Sequence, residues 1–199
     1  MPTIEPFQIY SAIIGYVLGS LSFGLLFTRM AGKGDIRQKG SGNIGATNVL
    51  RAGHKILALM TLIGDSGKGA LAALTTNYLW GMDASLIAGL AAVLGHNFSM
   101  WLKFKGGKGI ATSLGVLLFT AWPVGLSACA TWLLVAGIFR YSSLAALAAL
   151  SSAPAYAYWL DMHGVAWMAG GLGALAIIRH IDNIARLMKG TERKIGSNK

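Results

Sequence analysis

Hydrophobic residues run through this chain in long unbroken stretches, without the alternation of a half-buried strand or the single stripe of a soluble helix. A bilayer core of about 30 Å takes about 20 apolar residues as a helix. Residues 7–30, 56–79 and 84–102 each meet that length. Residues 110–139 are apolar too, but Trp122 and Pro123 interrupt a stretch that is too long for one straight crossing and short for two. Residues 142–160 and 164–181 then form a hairpin around the polar turn Asp161, Met162, His163. Dividing 110–139 into two short helices predicts seven crossings.

Charge selects among the possible topologies. With seven crossings, Arg29, Lys33, Arg37, Lys39, Arg51, Lys55, Lys103, Lys105, Lys108, Arg140 and the basic residues of the tail share one side, and the opposite turns hold Glu5, Asp83 and Asp161 but no Lys or Arg. Six crossings would break this segregation. The positive-inside rule then places the N-terminus outside and the C-terminus in the cytoplasm. Trp80, Trp122 and Trp159 fall near the outer turns and Trp101 near the inner boundary, as interfacial anchors do. The fold class expected is an all-α integral membrane protein, a single polytopic domain over residues 1–199, with cytoplasmic loops at 31–55, 103–109 and 179–199.

Composition removes the main competitors. Of 199 residues, 54% are hydrophobic and 12% charged, against about 25% charged in an average soluble domain. A net charge of +10 suggests nucleic acid, but so apolar a chain has no free basic face to display; the cations fix topology or attract lipid headgroups. The lone Cys129 excludes an internal disulfide. The start of the chain has no basic n-region or clear cleavage site, so the first span reads as uncleaved. Lys68 stands inside the second span, where a charge costs about 2.5–3.5 kcal/mol at the bilayer centre, and Asp65 one turn earlier is its expected partner.

Three expected cytoplasmic segments have the makings of an anion site. In the first, Gly40, Ser41, Gly42, Asn43, Gly45, Thr47, Asn48 and Arg51 combine a flexible backbone with hydroxyls, amides and a cation; glycine N–H groups form anion nests, and Arg grips two phosphate oxygens at once. Gly40, Gly42 and Gly45 also fit a dinucleotide fingerprint, but they follow a membrane helix and not a strand. The second segment runs from Lys103 to Gly109 and opens a helix, whose free N–H groups favour an anion. Gly109 stands where a nucleotide-binding P-loop needs Ser or Thr after its lysine, so Lys108 gives no support for nucleotide hydrolysis. In the third, Arg179, His180, Asn183 and Arg186 share neighbouring helical turns, followed by Glu192. His180 reads as a proton carrier, a phosphate donor or an interfacial side chain. His54 and His96 read as capping or packing residues, and no local His/Glu spacing predicts a metal. Arg140, Ser142 and Ser143 form a smaller polar cluster on the same face.

At these residues the sequence resembles the acyl-phosphate-dependent glycerol-3-phosphate acyltransferases of bacterial membranes, over essentially the whole chain. The resemblance rests on GSGNIGATNVLR from Gly40 to Arg51, GGKGIAT ending at Thr112, and RHIDNIARLMKGTE from Arg179 to Glu192. It implies seven helices with the N-terminus outside, in a bacterial inner membrane with the active site on the cytoplasmic face. The implied reaction moves a fatty acyl group from acyl phosphate to the 1-hydroxyl of glycerol 3-phosphate, giving lysophosphatidic acid and phosphate, without cofactor or metal. The implied catalytic residues are Ser41, Arg51, Lys108, His180 and Asn183. Gly42, Asn43, Thr47, Asn48, Gly106, Gly107, Gly109, Ser142, Ser143 and Glu192 are implied to bind substrate or shape the loops. The expected partners are the two substrates, membrane lipid and a soluble enzyme that makes acyl phosphate; nucleic acid is not expected. Ser22 departs from relatives that often carry Pro there, which bears on the shape of the first span.

Acyl phosphate is already activated, so orientation and charge stabilisation suffice, and no acyl-enzyme is expected. Glycerolipid acyltransferases that use thioester donors generally place His and Asp with four residues between them, and none of the four histidines here has that Asp. A transporter for an organic phosphate is the main alternative; its site belongs near midmembrane beside an inverted repeat, which this sequence lacks. A scaffold recruiting a soluble partner is the third reading.

Overall fold

A computed structural model describes residues 5–196; residues 1–4 and 197–199, which belong to the expected outer N-terminus and basic tail, lie outside the described residues. The described chain is helical throughout: α1 Pro6–Gly19, α2 Phe23–Met30, α3 Ala46–Arg51, α4 Lys55–Trp80, α5 Met82–Asn97, α6 Ile110–Thr120, α7 Trp122–Phe139, α8 Ser142–Trp159, α9 His163–Arg179 and α10 Ile181–Met188. Short 3-10 turns cover Ile36–Gln38 and Met100–Leu102.

Four segments are long and apolar enough to cross a membrane: Pro6–Met30, Lys55–Trp80, Met82–Leu102 and Trp122–Phe139. The pair α9 and α10, bent by 63°, makes a fifth when counted as one broken span. The protein is thus an all-helical, multi-pass integral membrane protein with shorter apolar helices beside these spans. The interruption at Trp122 does divide 110–139 into two helices. Pro123 falls in the first turn of α7, where its missing N–H breaks no intrahelical bond. The shorter product, α6, has 11 residues, roughly 16 Å at 1.5 Å per residue, about half of a bilayer core.

Helix α5 stands at the centre, packed on α1, α4, α6 and α9. Its inner face is alanine and glycine because no hydrophobic effect drives helices together in lipid, and close backbone approach must do so instead. Gly15 and Gly19 of α1 lie directly on Ala88 and Ala92 of α5, so close that a side chain on either glycine would collide with the α5 backbone. Larger residues fill the space between α5, α6, α7, α8 and α9, where Val93, Val116, Leu117, Val124, Leu150 and Leu172 are almost fully buried. The outward sides of the helices carry Ile9, Ile13, Ile63, Leu134, Ile138 and Trp167 in exposed positions, which suits a lipid environment.

The first span is not the continuous helix expected over 7–30. It breaks at Ser20, Leu21 and Ser22, with no proline involved. Such a break frees carbonyls that lipid cannot solvate, and neighbouring helices supply the donors. Ser99 Oγ donates to Ser20 O at 2.8 Å, and Lys68 Nζ donates to Leu21 O. The mid-span Lys68 thereby has a structural role, and Asp65 is its ion partner, as expected, at 2.9 Å.

Candidate active site

Behind α2 the chain leaves the helices in a loop anchored by Ile36 and Ile44, which are buried with Leu25, Val49 and Ala58. Asp35 braces its start by pairing with Arg29 at 3.0 Å and Arg37 at 2.6 Å. The hydrogen bond from Arg37 holds the Asp35 carboxyl well below the usual carboxylate range. The loop is then closed by one side chain. Asn48 Nδ2 donates to Ile36 O at 3.1 Å, Lys39 O at 3.0 Å and Asn43 O at 2.7 Å, while its Oδ1 accepts from Ser41 N at 2.8 Å. Asn43 Oδ1 accepts from Gly45 N at 3.0 Å. Asn48 is therefore the clamp of the loop, its polar atoms occupied by backbone.

The second loop is seated on the end of α5. Gly106 N donates to Asn97 O at 3.2 Å and Gly107 N to His96 O at 3.0 Å. From the other side Arg179 donates to Gly107 O at 3.0 Å and Gly106 O at 3.2 Å. Gly42 N likewise donates to Lys39 O at 3.0 Å. The nest of glycine N–H groups expected in the first segment is therefore not available at Gly42, and the Gly106 and Gly107 amides are also taken within the protein; none of the three glycines lines the cavity beside them. Gly109, with φ +75°, turns the chain into α6.

That cavity has a volume of about 660 Å³. Its polar end gathers Ser41, Asn43, Thr47 and Arg51 from the first segment, Lys108 and Gly109 from the second, and His180, Asn183 and Glu192 from the third. Ser142 and Ser143 join them from the start of α8, and Thr47 Oγ1 lies 3.3 Å from Ser142 Oγ. Helices α6, α8 and α10 all begin here, and none has a side-chain cap at its N-terminus. Three uncapped helix starts thus border one volume, and a helix start is a setting that favours an anion.

Lys108 donates to Asn183 Oδ1. Glu192 collects donors from Asn183 at 2.6 Å, Ser143 at 2.8 Å and Arg186 at 2.7 Å. Burial pushes the Glu192 carboxyl up, but these three hydrogen bonds outweigh it and hold it below the ordinary value. Burial, with Arg186, Arg51 and Arg179 adding repulsion, brings Lys108 down to about 8 against the opposing pull of Glu192. Burial also lowers Arg51. Arg51 reaches Arg193 O at 3.4 Å, and Arg193 reaches Gly40 O at 3.3 Å, so the tail ties back to the first loop. His180 Nδ1 lies 2.8 Å from Ala176 O. A carbonyl only accepts, so the neutral ring carries its proton on Nδ1 and keeps Nε2 as an acceptor.

The other end of the cavity is apolar, lined by Leu59 and Leu62 of α4, Leu114 and Leu118 of α6, and Cys129, Trp132 and Leu133 of α7. Asp65 and His96 lie along its wall. Sequence reading missed this half: α7 is apolar all round, and nothing marks which side faces the cavity. His96 was read as packing or capping, while the charge at Lys68 was the only signal that polar groups converge there. His54 lies outside the cavity lining.

Such an arrangement suits a membrane protein that takes an anionic head beside a long apolar group. The family model for glycerol-3-phosphate acyltransferase matches residues 9–190. The chain is 60% identical to the glycerol-3-phosphate acyltransferase of Rhodospirillum rubrum over 196 residues, covering 94% of this chain and 91% of that one. It is 57% identical to that of Paramagnetospirillum magneticum, covering 93% and 92%. The crystal structure of PlsY (YgiH), an integral membrane glycerol 3-phosphate acyltransferase, in its glycerol 3-phosphate form superposes with a TM-score of 0.89 at 39% identity, over 95% of this chain and 96% of that one. Its lysophosphatidic acid form gives 0.86 at the same identity, over 95% of each chain. The chain belongs to the PlsY glycerol-3-phosphate acyltransferase family: it is a membrane glycerol-3-phosphate acyltransferase of phospholipid synthesis.

Proposed function

We propose that this protein transfers a fatty acyl group from acyl phosphate to the 1-hydroxyl of glycerol 3-phosphate, releasing lysophosphatidic acid and inorganic phosphate at the cytoplasmic face of a bacterial inner membrane. The observation that carries this reading is the single cavity whose cationic, helix-started end continues into an apolar end between α4, α6 and α7. Two phosphate heads are held by charge and N–H groups at one end, and the acyl tail lies among leucines at the other. The solved PlsY forms with glycerol 3-phosphate and lysophosphatidic acid support the acceptor and the product.

In the proposed step the 1-hydroxyl oxygen attacks the acyl carbonyl carbon. The new ester bond forms as the bond from that carbon to the phosphate oxygen breaks, and the electron pair leaves with phosphate. His180 Nε2 accepts a hydrogen bond from the attacking hydroxyl and orients it. The hydroxyl proton passes by way of His180 Nε2 to the departing phosphate, on whose oxygen negative charge develops as the bond breaks. Lys108 and Arg51 stabilise that charge; Ser41 and Thr47 donate hydroxyl hydrogen bonds to the heads; Asn183 and Glu192 hold Lys108. No covalent acyl-enzyme is required.

Seven crossings go with this reading, counting α6 as a short one and α8 as another, with the basic loops inside and the N-terminus outside. A soluble enzyme that makes acyl phosphate is the natural supplier of the donor. The test is acyl transfer by purified protein in detergent, with labelled glycerol 3-phosphate and either acyl phosphate or acyl-CoA. Product from acyl phosphate alone is expected; product from the thioester alone overturns the donor.

A further inference from the structure

The reaction proposed above leaves a buried charge cluster without a role. Lys68 Nζ stands 2.9 Å from Asp65 Oδ1 and 2.8 Å from His96 Nδ1, and it also donates to Leu21 O at the break between α1 and α2. The three ionisable residues are at most 4% exposed. An ammonium has three donors and no acceptor; Lys68 gives hydrogen bonds to Leu21 O and His96 Nδ1, and Asp65 Oδ1 pairs with it as an ion. The same rule fixes the histidine: Nδ1 of His96 is the acceptor, and the neutral ring carries its proton on Nε2. Thr112 Oγ1 approaches the same Nδ1 at 3.4 Å.

Tying the helix break to α4 requires only Lys68, Leu21 and Asp65. The histidine extends the network toward the site. Its carbonyl accepts from Gly107 N at 3.0 Å, and its ring lies directly on the Gly107 α-carbon, where a side chain would collide with Nε2. Arg179 grips the Gly106 and Gly107 carbonyls from the opposite side. Gly107 is thus caught between His96 and Arg179, and the next residue is Lys108. Asp65 and His96 also border the cavity itself.

We infer that Lys68, acting through His96, is a positioning residue that sets where Lys108 stands against the leaving phosphate. The inference rests on the role given to Lys108 above. Lys68 orients the His96 ring, the ring and its carbonyl seat Gly107, and Gly107 aims Lys108. A displacement of the ring therefore reaches Lys108 through the loop backbone.

The test combines steady-state kinetics with a double-mutant cycle, using whichever donor the wild type accepts, so that the donor assignment and this inference fail separately. Lys68→Met lowers kcat by about tenfold or more while KM for both substrates stays within about twofold, because the lost interaction belongs to the transition state. The double variant Lys68→Met/Lys108→Met is no slower than Lys108→Met alone, since one residue acts through the other. His96→Asn, which keeps an acceptor near the Nδ1 position, is several-fold faster than His96→Leu. An unchanged kcat in Lys68→Met overturns the inference, and so does a double variant whose loss is the product of the two single losses. If Lys68→Met does not fold, the His96 pair decides: equal rates for His96→Asn and His96→Leu overturn it.

Discussion

Lys108 Nζ donates to Asn183 Oδ1, joining residues 75 apart in sequence, and Asn183 Nδ2 donates in turn to Glu192 Oε1 at 2.6 Å. The amide is a relay that fixes a cation on one side and a carboxylate on the other. Leucine at this position removes both contacts and leaves the Lys108 head without its acceptor. Asn183→Leu is expected to lose about 10²-fold in kcat/KM, the size seen when a charge-stabilising group is misplaced, and initial-rate kinetics on the purified variant reads it directly.

The Lys108 ammonium, brought down to about 8, loses its proton as the pH rises through that value. On the proposed mechanism the charge that stabilises leaving phosphate is then lost, so kcat/KM is expected to fall on the alkaline side of about pH 8, where the profile reports the free enzyme. Lys108→Arg keeps a cation that does not titrate in this range. A pH–rate profile of that variant is expected to lose the alkaline limb, whatever its absolute rate.

Asn48 holds three carbonyls with one NH₂ group. Alanine there leaves them unpaired, whereas aspartate presents a second oxygen to carbonyl oxygens at the same distances. Asn48→Asp is therefore expected to be worse than Asn48→Ala, in melting temperature and in activity, even though it is the closer isostere. Each unsatisfied buried polar group costs about 1–3 kcal/mol. Paired thermal melts in one detergent distinguish the two variants.

Leu62 of α4 and Trp132 of α7 both border the apolar end of the cavity. Leu62→Trp fills that end without altering the polar head site. KM for the acyl donor is expected to rise by about tenfold, the scale of a clash of 1–3 kcal/mol in a hydrophobic pocket, while KM for glycerol 3-phosphate stays near its wild-type value. Varying each substrate in turn separates the two constants.

The long apolar runs and the one-sided distribution of Lys and Arg were enough to read a helical membrane protein from sequence, because lipid forces every backbone group into helices and charge biases their orientation. The break at Trp122 and the pairing of Lys68 with Asp65 were equally readable, since proline and buried charge each act within a turn of themselves. The three polar segments that meet at the cavity were conspicuous in sequence because glycine, hydroxyl and cation stand out against an apolar background. Tertiary structure alone decided which of those groups face the cavity: the Gly106 and Gly107 amides look available in sequence yet are taken by the carbonyls of Asn97 and His96. It also chose the apolar half of the cavity, Cys129 and Trp132 among it, because a helix that is hydrophobic all round carries no local mark of which face meets lipid and which meets substrate.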